Sequence, residues 1–124
     1  MSQITELVKE ARTTAVEKGF YDDSFNVGEK LMLIVSELGE ALEAARKDKY
    51  SPVGAVDSVM DWWNDENFVE AFKDEIKDSF EDELADAVIR IFDLAGRLNI
   101  PIEKHILAKM RYNKTRPYKH GKKF

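Results

Sequence analysis

The sequence predicts an all-α protein, a bundle of four or five helices, on three observations. Apolar residues recur at helical spacing through most of the 124 residues. No two-residue alternation is long enough to make a strand. The three prolines, Pro52, Pro101 and Pro117, fall where the helical pattern breaks or begins anew.

The elements follow in order. Ile4, Leu7, Val8, Ala11 and Ala15 predict a helix over 3–18, stopped by Gly19, and FYDDSF at 20–25 is an aromatic-rich connection. Asn26 with Glu29 three positions on is a capping-box-like start. The second helix then runs to about Lys47, with Leu31, Ile34, Val35, Leu38, Leu42 and Ala45 as its apolar residues. Residues 48–66 read as a loop or insertion, within which DSVMDWWND has the pattern of one short helical turn. The helical pattern resumes near Asn67 and persists to Gly96, with a break near Ser79. Pro101 suits the first turn of a last helix over 102–115, which Pro117 ends, leaving a basic tail at 117–124. The length suits a single domain over 1–124 with a core of its own.

Composition narrows the chemistry. The chain has no cysteine, so disulfides, thiolate metal sites and cysteine nucleophiles are excluded. No apolar run approaches the roughly 18 residues that span a bilayer, and MSQITELVKEART lacks a signal-peptide pattern, so a cytoplasmic location without a membrane partner is expected. The net charge of −5 is uneven: residues 1–103 hold all 24 acids and 11 of the 19 bases, whereas 104–124 hold eight bases and no acid. So acidic a body disfavours a nucleic acid polymer as partner, while the basic end can grip phosphates or fold back on the acids.

The residues richest in chemistry are SELGE and EDELAD. Glu37 and Glu40 are three apart, as are Glu83 and Asp86, so each pair shares one helix face. On a wheel of about 100° per residue with Leu31, Leu38 and Leu42 marking the core, Glu37 sits inside the apolar arc and Glu40 at its edge. Around the later helix, counted from Ile76, the apolar centre lies about 60° round, with Glu83 at the core margin close beside Leu94 and Ala87 and Asp86 further out. One Glu-x-x-Glu in so acidic a chain reads first as a solvated face, and Asp86 with Arg90 and Asp93 with Arg97 have the spacing of helix ion pairs. Two pairs, each with a member turned toward the core, point instead to a divalent cation, because buried carboxylates are costly unless paired, protonated or metal-bound. Oxygen ligands without His or Cys suit Mg²⁺ or Mn²⁺.

On the last helix Lys109, Asn113 and Arg116 line one edge of a face marked by Ile106 and Met110. A point charge, a bidentate fork and an amide there suit a polyphosphate and a sugar or base edge; pairing with the acidic body is the plainer alternative. Trp62 and Trp63 in the insert suit core capping or a subunit interface, or stacking on a base.

SELGEALEA, EDELADAVIRIFDLAGRLNI and the ending Lys-Met-x-x-Asn-x-x-Arg-Pro together resemble the MazG-like all-α nucleoside triphosphate pyrophosphohydrolases, with a layout similar to the single-domain, dCTP-pyrophosphatase-like branch. The resemblance covers roughly 26–47 and 75–121. It implies that Glu37, Glu40, Glu83 and Asp86 bind Mg²⁺, with Mn²⁺ as a substitute, and that Lys109, Asn113 and Arg116 contact the nucleotide. Two departures stand out: Ser36 replaces the first Glu of the family pattern Glu-Glu-x-x-Glu, and residues 48–74 look inserted between the two acidic motifs. The implied reaction is hydrolysis of a nucleoside triphosphate to a monophosphate and pyrophosphate, with Glu37 or Glu40 taking the proton of the attacking water. A homodimer or dimer of dimers is expected, mostly on family grounds. Rival readings are a non-catalytic helical binding module and a phosphohydrolase acting on diphosphates or phosphoribosyl-ATP.

Overall fold

A computed structural model of the chain describes residues 2–20 and 25–124. Most of the aromatic connection at 20–25 therefore lies outside the described residues. The rest is all-helical, with no strand among the described residues. Six α-helices are present there: α1 (Gln3–Glu17), α2 (Val27–Arg46), α3 (Ala55–Met60), α4 (Asp65–Glu75), α5 (Phe80–Arg97) and α6 (Ile102–Thr115), followed by a 3₁₀ turn at Tyr118–Gly121. Two more helices than the lower expected number arise because the insert forms α3 and the break near Ser79 separates α4 from α5.

Local chemistry explains these boundaries. The Asn26 side chain accepts the Glu29 N–H at 2.9 Å, so the expected cap starts α2. Asn64 does the same for the Asn67 N–H at 2.8 Å, which starts α4 two residues before the apolar pattern suggests. Asp65 and Glu66 in its first turn complement the helix dipole. Asp78, at φ 65°, breaks the helical path in the left-handed region. Ser79 then caps α5 by accepting the Asp82 N–H at 3.2 Å, while the Asp82 carboxylate accepts the Asp78 N–H at 2.9 Å.

The contacts divide the chain into two compact units. One spans 24–91 and holds α2, α3, α4 and the first part of α5. In it α2 and α5 run antiparallel. The Phe80 N–H donates to the Lys49 carbonyl at 2.9 Å and the Ser51 N–H to the Glu81 carboxylate at 3.0 Å, just beyond the end of α2. Further along, Arg90 reaches Glu37, so later positions on α5 meet earlier ones on α2. The Tyr50 and Phe80 rings meet edge to face at the start of α5, and α3 packs on α4 around the buried Ala55 and Val59.

The other unit holds α1, the end of α5 and α6. Arg12 of α1 pairs with Asp93 at 3.0 Å, and Thr5 and Ser2 donate hydroxyl hydrogen bonds to Glu103 of α6. Gly96 lets α1 come close: a Cβ there would lie 3.3 Å from both Arg12 Cβ and Val8 Cγ1.

The helices are rotated relative to the sequence reading. On α2 the buried residues are Ile34, Ala41 and Ala44, whereas Leu31, Leu38 and Leu42, the core side by periodicity, stay 48–52% exposed. Likewise α5 buries Glu83 and Ala87 and leaves Leu84 and Ile91 at 40%. On α6 Met110 is exposed too, while Ile106 is half-buried. The reason is steric. Alanines at the crossing let helix axes approach closely, and the larger aliphatic residues are turned aside.

The tight α1–α5 approach at Gly96 yields a test. Gly96→Val overpacks it and should lower stability by about 1–3 kcal/mol in urea unfolding, with helix content retained; an unchanged midpoint would show that the approach has slack.

Candidate functional site

The α2–α5 crossing gathers the acids. Carboxylate oxygens of Glu37, Glu83 and Asp86 all lie within 4.8 Å of one another, near enough to share one cation. Glu37 and Glu83 come from helices that meet antiparallel, and Asp86 follows Glu83 by one turn. The Glu83 carboxyl also approaches Glu40 and Glu37 closely enough to share a proton with either. The structure thus brings together the four acids that the spacing singles out. Glu83 is buried and Glu37 nearly so, Asp86 is half-buried, and Glu40 is exposed.

Such crowding has an electrostatic signature. Burial, then hydrogen bonding and repulsion from Glu40, push the Glu83 carboxyl up from 4.5 to about 8. Asp86 is raised as well, first by burial and then by Asp82 and Glu37, with Arg90 opposing the shift. Glu83 Oε2 is buried with no hydrogen-bond partner among the described residues, an acceptor left for a proton or a cation. An all-oxygen donor set of this kind could hold a hard divalent cation.

Two features escape the sequence reading. Arg90 ion-pairs with Glu37 at 2.9 Å across the helix pair, although its spacing from Asp86 suggests an intrahelical bridge. Asp93 is likewise paired with Arg12, at 3.0 Å. A wheel sees only its own helix, so neither partner could be read from spacing. Asp82 and Asp78 are the second feature: with Glu83 they form another trio of carboxylates within 4.8 Å. The signal for Asp82 was present, since it precedes Glu83 within EDELAD.

On α6, in the unit with α1, Lys109 Nζ stands 5.0 Å and Arg116 Cζ 5.6 Å from the centre of the Tyr112 ring. One aromatic ring therefore gathers both cations that the sequence places on this edge. Asn113 Oδ1 is buried without a hydrogen-bond partner among the described residues. Arg116 also donates to the His120 carbonyl at 3.3 Å, which ties the tail back to the helix. Trp62 lines a cleft with Pro52, Val59 and Glu75, while Trp63 is 88% exposed and so caps no core. No helix among the described residues is long and apolar enough to cross a membrane. Comparison of the chain with protein-family models, curated proteins and solved structures returns no match.

The raised carboxyls set a pH dependence. Between 4.5 and about 8 the folded chain keeps a proton on Glu83 that the unfolded chain releases, so stability falls as pH rises through that window. Asp86 acts in the same direction. In chelator-treated protein the melting temperature should therefore drop between about pH 6 and pH 8.5, and Glu83→Gln should flatten that drop. A melting temperature that rises over this range, or an equal drop in the variant, would contradict the assignment.

Proposed function

We propose that the chain is a Mg²⁺-dependent nucleoside triphosphate pyrophosphohydrolase that yields a nucleoside monophosphate and pyrophosphate, a house-cleaning activity on the nucleotide pool. The observation that carries this reading is the meeting of Glu37, Glu83 and Asp86 within 4.8 Å, with an orphaned buried oxygen on Glu83. Its supports are the donor chemistry of that cluster and the resemblance of both acidic motifs to the MazG-like family.

Glu37, Glu40, Glu83 and Asp86 would hold the ion. Bound there, Mg²⁺ supplies a Lewis acid for the phosphate oxygens and for the attacking water. The remaining work falls to the chain's own side chains. Glu37 accepts a charge-assisted hydrogen bond from Arg90, which fixes its position. Glu40 is exposed and has no ion pair among the described residues, so of the two candidate bases it is the freer to take the water proton. As that proton moves to Glu40, the water oxygen bonds to phosphorus at the α–β junction. The bridging P–O bond then breaks and pyrophosphate leaves. The resemblance assigns Lys109 and Arg116 to the nucleotide, for which one offers a point charge and the other a fork. Asn113 has an unpaired carbonyl oxygen with which to accept from a sugar hydroxyl or a base amine.

Pyrophosphate release from a panel of standard and damaged nucleoside triphosphates, with and without Mg²⁺, tests the reading. At least one triphosphate should turn over only with the metal. Glu40→Gln and Asp86→Asn should each cut that turnover on the order of 100-fold or more while circular dichroism stays helical. Retained activity in both variants, or no turnover of any triphosphate, would refute it, and inorganic phosphate as the product would point to a different phosphohydrolase.

A further inference from the structure

The segment between the two acidic motifs holds a cleft that the proposed reaction does not use. Pro52, Val53, Val59, Trp62, Ala71 and Glu75 are among the residues lining a space of about 390 Å³ beside α3 and α4, within the unit that spans 24–91. Its construction is local. α3 packs on α4, and the buried Ala55 and Val59 form the apolar floor. The Trp62 N–H donates to the Val59 carbonyl at 3.3 Å, which holds this residue at the end of α3 with 47% of its surface open. Glu75 is the last residue of α4. It is exposed and has no ion pair among the described residues.

Size decides what kind of occupant fits. A single turn of helix, about 5.4 Å long and roughly 10 Å across, already fills about 420 Å³. The cleft therefore does not take a helical partner. It falls instead in the range of small-molecule sites, about 300–1,000 Å³.

Charge decides the chemistry. Residues 51–78 hold eight acids, with Lys73 and Lys77 as the only bases. Asp57, Asp61 and Asp74 are chain neighbours of the lining residues Ser58, Trp62 and Glu75. The C-terminal end of α4 adds partial negative charge beside Glu75. Such a field repels an anion, a nucleotide included. A bare metal ion finds one carboxylate in the lining and otherwise mostly apolar side chains, which is no ligand set. An organic cation suits both features: its methylenes cover Pro52, Val59 and Ala71, while an ammonium group faces an indole and a carboxylate. The excess of surrounding acids over the single one in the lining favours several ammonium groups along one aliphatic chain.

We propose that this cleft binds an aliphatic polyamine, with one ammonium group against the Trp62 indole and the Glu75 carboxylate and the remaining ones drawn to the neighbouring acids. This inference does not rest on the catalytic reading.

Calorimetric titration of spermidine into the full chain at neutral pH tests it, in about 0.15 M salt, where diffuse attraction is screened beyond about 8 Å. Spermidine should saturate at about one per chain. In Trp63→Phe, which leaves Trp62 as the sole tryptophan, the emission should change with the same midpoint. Glu75→Gln and Trp62→Leu should each weaken binding at least ten-fold with helicity retained. Glu70→Gln removes the same charge from the same helix outside the lining and should change affinity less than about two-fold. Should Trp62→Leu fail to fold, Glu75→Gln decides, because its side chain is exposed. No saturable binding, an equal loss in Glu70→Gln, full displacement of spermidine by equimolar Mg²⁺, or a nucleoside triphosphate that shifts the Trp62 emission as spermidine does would overturn the proposal.

Discussion

Carboxylates brought within 4.8 Å of one another repel, and at the α2–α5 crossing two of them are also largely taken out of water. Each charge there raises the cost of the next, because low local dielectric strengthens repulsion as well as attraction. The chain offers Arg90 against Glu37, which offsets one negative charge and leaves the others. A proton on Glu83 offsets a second, and its pKa of about 8 expresses that need. A divalent ion would satisfy the cluster more fully, since it brings two charges and can use the unpartnered Glu83 oxygen.

The same crossing sets how the helices are turned. Ala41, Ala44 and Ala87 are buried beside Glu37 and Glu83, and small residues let the backbones approach until facing carboxyls come together. Larger aliphatic residues at this position would hold the helices apart and the acids with them. Leu31, Leu38, Leu42, Leu84 and Ile91 are accordingly displaced to the flank, where they keep about half their surface. An acidic side and an aliphatic side on one helix pair are thus two results of a single rotation.

Much of this was legible in the residues. Periodicity marked the helices, Asn26 with Glu29 marked the start of α2, and the three-residue spacing of Glu37 with Glu40 and Glu83 with Asp86 marked the acids that meet. What escaped has a common cause. A wheel ranks faces by hydrophobicity, so it chose the leucine stripe of α2 as core, although the alanine and glutamate arc beside it is the one that packs. Spacing along one helix offered Asp86 to Arg90 and Arg97 to Asp93, but the observed ion pairs of Arg90 and Asp93 are with Glu37 and Arg12, residues of other helices. Asn64 gives no periodic signal, because its helix opens on charged residues before any apolar period is established.

The most direct measurement is calorimetric titration of Mg²⁺ at neutral pH into chelator-treated protein, repeated in two buffers of different ionisation enthalpy. If the cluster exchanges a proton for a cation, binding should release up to about one proton per site, seen as a heat that changes with the buffer. Glu83→Gln should abolish that buffer dependence. No binding at millimolar Mg²⁺, or binding with the same heat in both buffers, would contradict the view that these carboxylates are held together for a metal.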